Sequence, residues 1–330
     1  MGRGNNSEKD FLTLKNGVCV MEENDNLKPE LAREAVNVIE DVAGKHPGYR
    51  RVHARGYVYE GVFTPNGKAS PLTVASHLQD EAVPAIIRFS NSSPIPSHPD
   101  AISPVKGMAV KFQLPDGEVS DLIAVTIPLF FAKTPEAFVD IAGFFKSAKE
   151  GFPNLKELAK ILWKYPESKA SLQMLKEMRS PASFSTCQYY SIHAFYFINA
   201  EGRRQAIKYE WVPDAGLSML EKKDLAMHSP EYLNEEMEER LKEGPVGFKL
   251  NIQIGGENDP TDDPTTAWPE DKQVITIGHL MISKKSEVCK DTLLFDPTNI
   301  PEGIECSEDR ILHFRHSAYA VSYERRINNQ

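Results

Sequence analysis

The chain has 330 residues, of which 41% are hydrophobic and 26% charged, a composition that excludes disordered, collagen-like and coiled-coil classes. Its net charge of −9 advertises no basic face for nucleic acid. The longest uncharged apolar run, Leu122 to Ala132, is about half a membrane span, so no membrane association is expected.

Residues 1–26 are polar and read as an N-terminal arm, and 27–330 as one domain. The arm has no apolar signal core, and Cys19, Cys187, Cys289 and Cys306 lie far apart, as reduced thiols of a cytoplasmic protein would. From Leu27 to Val42 apolar residues recur at helical spacing, stopped by Gly44 and Pro47. Strand-like segments follow at Val52–Thr64, Ala85–Ser90, Met108–Leu114 and Asp121–Ile127. In the third, Met108, Val110 and Phe112 alternate with Ala109, Lys111 and Gln113, the period of a half-buried antiparallel strand.

A helical insert is expected at Pro135–Lys149, Leu155–Lys164 and Lys169–Met178. Four more strands follow at Gln188–Ile198, Gln205–Val212, Gly247–Ile254 and Val274–Ile282, with Glu201–Gly202 turning the first pair into a hairpin. Glu231–Lys242 reads as a charged, exposed helix, and Glu308–Arg326 as the last helix. Eight strands in two groups of four imply an α+β fold, a closed eight-stranded antiparallel barrel with surrounding helices, and closure removes exposed sheet edges.

Three segments carry chemistry. In DRILHFRHSAYAVSYERRIN, Arg315, Tyr319 and Arg326 follow at steps of four and seven and share one helix stripe. A solvated face would account for them. Alternatively, an arginine one turn before a tyrosine can hold it as phenolate, although its ordinary pKa is ~10, and bind iron. In YRRVHARG, His53 stands where a strand begins. It is either structural or an acid/base group able to move a proton between two peroxide oxygens. In IIRFSNSS, Arg88 and Ser90 flank Phe89 and share a face. An arginine pointing into an apolar barrel requires an anion, whereas an edge arginine would be solvated.

Taken together, RVHARG, RFS, KGMAVKF, DLIAVTIPLFFAKTPEAF, SIHAFYFINAEG, WPEDKQVITIGHLMI, FDPTNIPEGIECSEDR and RHSAYAVSYERR resemble, in order, the heme catalase superfamily from about residue 27 to the C-terminus. The resemblance implies heme b as cofactor, Tyr319 as axial iron ligand and Arg315 holding it as phenolate. It implies Arg50, Arg88 and Arg326 at the propionates, Val52 on the distal heme face and Phe138 over the ring. His53 would be the distal acid/base residue and Ser90 its hydrogen-bond partner.

The chain departs from large catalases in ways that change the expected reaction. Val125 stands where the distal asparagine would, beside Thr126, and cannot donate a hydrogen bond to peroxide. The chain also ends soon after Arg326, as in the small catalase-related peroxidases, and Val321 and Tyr323 replace polar positions. O–O cleavage by His53 should survive, while the second step of dismutation should suffer. The resemblance therefore implies a heme peroxidase that takes hydrogen or organic peroxides and a small organic reductant, with weak catalase activity, as a homo-oligomer, a dimer by preference. The alternatives are a small true catalase, a hydroperoxide isomerase of the allene oxide synthase type, and a non-catalytic heme-binding barrel.

Overall fold

The computed structural model describes residues 29–103, 105–144, 155–288 and 293–329. The expected N-terminal arm, the end of the first insert helix, Cys19 and Cys289 lie outside them. Cys187 and Cys306 are free thiols, pushed up to about 12 by burial.

Helix α1 spans Pro29–Ala43. Strands β1 (Gly56–Pro65), β2 (Val83–Asn91), β3 (Lys106–Gln113) and β4 (Val119–Val125) form an antiparallel meander. Helices α2 (Pro135–Phe144), α3 (Leu155–Lys164) and α4 (Lys169–Glu177) follow. Next come β5 (Tyr189–Tyr190), β6 (Phe195–Ile198), β7 (Arg204–Pro213), α5 (Lys222–Leu225), α6 (Tyr232–Glu243), β8 (Val246–Ile254), β9 (Val274–Lys285), β10 (Ile304–Cys306) and α7 (Arg310–Ile327). The order β7-β5-β4-β3-β2-β1-β9-β8 closes through the β7–β8 pairing into the expected eight-stranded barrel.

Two expected elements are revised. The single strand over Gln188–Ile198 breaks in two: β5 belongs to the ring, while β6 pairs with the start of β7 and carries β10, which the sequence did not advertise. Ser191 makes the break, because its hydroxyl takes the Tyr209 N–H at 2.9 Å. The hairpin at Glu201–Gly202 is present, with Gly202 at φ +74°. Helix α6 is not merely an exposed charged helix: Tyr232, Leu233 and Met237 turn inward and join the barrel core.

Alternation in β3 decides which side chains fill the barrel. Met108, Val110 and Phe112 point inward with Phe89, Ile87, Leu122 and Ala124, and Phe89 stacks on Phe184 with centroids 5.2 Å apart. Each such apolar side chain contributes roughly 1.5–3 kcal/mol through burial. Residues one step out of phase face the opposite way, onto the outer wall, where Ala109 and Ile123 pack with Leu293 and Phe295.

Candidate active site

The outer wall carries the distal candidates. Ser90, Gly107 and Val125 lie opposite one another across β2, β3 and β4, so they form one row on one face. Arg88, Ala109 and Ile123 form the next row. Since Phe89, Met108 and Ala124 fill the barrel, Arg88 and Ser90 point outward. The expected inward-pointing arginine is thereby corrected, as is the edge alternative: Arg88 is only 5% exposed. Gly56 makes room for it, because a Cβ there would lie 2.4 Å from the guanidinium carbon.

His53 does not begin a strand. It precedes β1 in an irregular segment and has φ +54°, a left-handed conformation that disfavours side chains. Its carbonyl accepts a bond from Arg88 Nη2 at 2.8 Å, and its Nδ1 lies 3.0 Å from Ser90 Oγ. Packing of the half-buried ring away from water pushes its pKa down to about 3, followed by the positive charges of Arg88, Arg315, Arg50 and Lys106. The imidazole is therefore neutral near pH 7. When Ser90 accepts from Nδ1–H, Nε2 keeps its lone pair.

On the facing side, α7 begins at Asp309, whose Oδ1 caps the helix by accepting from Ile311 N at 2.8 Å and Leu312 N at 3.3 Å. Phe314 and Val321 pack with Ala32, Ala35 and Val36 of α1 and Val139 of α2, which fixes the rotation of α7. This accounts for Val321: it seats α7 on α1. Glu40 of α1 adds a buried ion pair to Arg51 at 2.6 Å and a half-buried one to Arg325 at 2.8 Å.

That rotation places Arg315 against Tyr319. Arg315 Nε and Nη2 donate to the phenol oxygen at 3.0 and 2.7 Å. Its Nη1 lies 2.8 Å from His193 Nε2, and His193 Nδ1 lies 2.6 Å from Asp309 Oδ2. The guanidinium can only donate, so Nε2 of His193 accepts and Nδ1–H donates to Asp309. Burial likewise holds His193 below its ordinary pKa, in the neutral form. The chain Asp309–His193–Arg315–Tyr319 thus aims two guanidinium donors at one phenol oxygen.

Of the remaining candidates, Arg50 and Arg326 both donate to the Leu293 carbonyl, at 2.6 and 3.0 Å, so they meet at one edge of the site. Arg326 also lies over the Tyr323 ring at 5.0 Å. Phe138 is half-buried and stacks on Phe130 and Phe131, with Phe314 beside it. Val52 is an apolar side chain left 38% exposed next to His53. Val125 is buried among Ile127, Ile192 and Phe130. The Thr126 hydroxyl accepts the Lys106 N–H at 3.0 Å, so its oxygen is engaged by the backbone.

This set fits a heme. Tyr319 offers a hard oxygen donor of the kind that suits ferric iron. The guanidiniums of Arg50, Arg88 and Arg315, which all depress His53, make a positive surround that matches a dianionic macrocycle with two propionates. Sequence reasoning missed His193 and Asp309 as functional partners. A helix-capping aspartate could be read at Asp309, but its contact with a residue 116 positions away could not.

A profile of the Catalase family matches residues 37–330. A catalase-related peroxidase of Mycolicibacterium paratuberculosis is 38% identical over 297 residues, covering 89% of this chain and 94% of that protein. One from Synechococcus elongatus is 29% identical, covering 89% and 88%. Catalase-2 of Bacillus subtilis is 28% identical over 82% of this chain but only 42% of its own. Among solved structures, a bacterial catalase superposes with TM-score 0.75 at 23% identity, covering 98% of this chain and 68% of that one. A fungal catalase gives 0.76 at 19% identity, covering 86% and 60%.

Proposed function

The chain belongs to the catalase family, and from that premise we propose that it is a heme-dependent peroxidase with weak dismutation activity. Its oxidant would be hydrogen peroxide or an organic hydroperoxide, and its reductant a small organic donor such as a phenol or aromatic amine. The names of the two small relatives support the peroxidase reading.

Tyr319 would hold the iron of heme b, and Arg315 would keep its oxygen as phenolate. Arg50, Arg88 and Arg326 would meet the propionates, with Val52 and Phe138 against the macrocycle. When bound, heme would supply the electrons for O–O cleavage. His53 Nε2 would take the proton from one peroxide oxygen and return it to the other, with Ser90 holding the ring from the Nδ1 side.

The observation that carries the peroxidase reading is Val125. It lies in the same row as Ser90, opposite Gly107, and its two methyl groups cannot donate a hydrogen bond to a second peroxide. Losing one preorganised donor costs ~2.7–4 kcal/mol where charge develops. The hydroxyl of the neighbouring Thr126 is turned to the β3 backbone, where it accepts the Lys106 N–H.

The test is the absorption spectrum of the heme-loaded protein, followed by assay with peroxide and a phenolic donor. A high-spin ferric tyrosinate spectrum with donor-dependent peroxide consumption is expected. Donor-independent rearrangement of a hydroperoxide would favour an isomerase, and a heme spectrum with no peroxide reaction would favour a carrier. Either result would end the peroxidase reading.

A further inference from the structure

We propose that Gly107 is a positioning residue for the distal histidine: the missing side chain at 107 lets the His53 ring lie against β3 and reach Ser90. The inference rests on the peroxidase reading for its catalytic consequence, though its geometry does not depend on that reading.

A Cβ at position 107 would lie 2.9 Å from His53 Cε1, 2.9 Å from His53 Nδ1 and 2.9 Å from Ser90 Oγ. Carbon atoms in comfortable contact sit ~3.5–4.0 Å apart, so all three contacts are too close at once. The backbone gives no competing reason for glycine. Among the described residues the glycines with positive φ are at 44, 48, 67, 117, 202, 216 and 303, and 107 is not one of them. In a strand interior glycine is a weakening choice, made where something must approach closely. Here the approaching group is the imidazole.

Neither neighbour can give way cheaply. Ser90 is 3% exposed and fixed by register between β1 and β3. The His53 backbone is already in the left-handed region, with its carbonyl pinned by Arg88. A methyl group at 107 must therefore push the ring away from Ser90, breaking the 3.0 Å contact that leaves Nε2 as the base. Gly107 also lies opposite Val125, so the same gap borders the residue on which the reaction type turns.

The test is a double-mutant cycle with wild type, Gly107→Ala, His53→Ala and the double variant, each measured two ways. In thermal unfolding, Gly107→Ala should lower Tm by several degrees when His53 is present. It should lower it by clearly less when position 53 is alanine, since both contacts with the ring are gone and only that with Ser90 Oγ remains. In the heme-loaded proteins, Gly107→Ala should leave heme content unchanged and slow the peroxide reaction by roughly 10²-fold, the effect of displacing a catalytic group by about 1 Å. It should add no further slowing to His53→Ala.

Equal Tm losses in both backgrounds, or independent and multiplying rate effects, would overturn the proposal. If Gly107→Ala alone fails to fold, folding of the double variant supports the proposal and its failure overturns it. Coupling in Tm without any peroxide reaction in wild type would retain the positioning contact and reject the peroxidase reading instead.

Discussion

Replacement of Arg315 by leucine tests the proximal arrangement through proton linkage. An ordinary tyrosine with pKa ~10 must spend ~4 kcal/mol to ionise at pH 7. Arg315 directs two guanidinium N–H donors at the Tyr319 oxygen, at 3.0 and 2.7 Å. Hydrogen bonds to a charged group are worth ~1.5–3 kcal/mol each, so a heme-bound Tyr319 oxygen gains ~3–6 kcal/mol from the pair. Arg315→Leu removes both, so heme binding through Tyr319 would have to expel the phenol proton into solvent. The assay is a heme titration by absorbance from about pH 6 to about pH 9. Wild-type protein should bind heme the more tightly at every pH in that range. The variant should bind more weakly, and its affinity should rise about tenfold per pH unit, one proton being released per heme. Arg315→Lys, which keeps the charge but loses the fork, should fall between them. An affinity in the leucine variant that is independent of pH and close to wild type, with an unchanged ferric spectrum, would refute the reasoning.

Three further outcomes follow from the same geometry. His53→Ala should slow the peroxide reaction of heme-loaded protein by ~10²–10⁴, with heme content near normal, and stopped-flow mixing would expose an unaltered rate. Glu40→Gln leaves Arg51 and Arg325 facing a neutral amide and should cost about 3–5 kcal/mol in denaturant unfolding; a loss under 1 kcal/mol would show that this buried pair is not what ties α1 to α7. Burial first of all pushes the pKa of His77 down to about 4 and that of His53 to about 3, and holds His193 below its ordinary value. The unfolded chain takes up these protons near pH ~6.5 and the folded chain refuses them, so stability is intact above that pH and falls as pH drops toward about 4. An unfolding midpoint unchanged between pH 7 and pH 5 would contradict this.

Much of the fold was legible because one local period carried it. In β3, apolar and polar residues alternate, and the structure puts Met108, Val110 and Phe112 inside the barrel as that alternation requires. The stripe of Arg315, Tyr319 and Arg326 was legible for the same reason on a helix. The direction of Arg88 was not, because β2 is buried on both faces, so its polar side chains do not mark a solvent side. His53 misled as a strand start: the valine before it favours extended backbone, and a left-handed φ leaves no trace in composition. His193 belongs to a break inside an apparently continuous strand, set by a serine hydroxyl bonding to β7. Its partnership with Asp309 and Arg315 exists only after the barrel closes and α7 docks.

The central claim is most directly tested by stoichiometry in the heme-loaded wild-type protein, with peroxide consumed, donor oxidised and oxygen released measured in one vessel. With a phenolic donor present, peroxide loss should match donor oxidation and oxygen should be a minor product. Val125→Asn should then raise oxygen release, within the ~10²–10³-fold that one preorganised donor is worth. Oxygen release from the wild type at half the peroxide consumed, with the donor untouched, would contradict the account and make the protein a small true catalase.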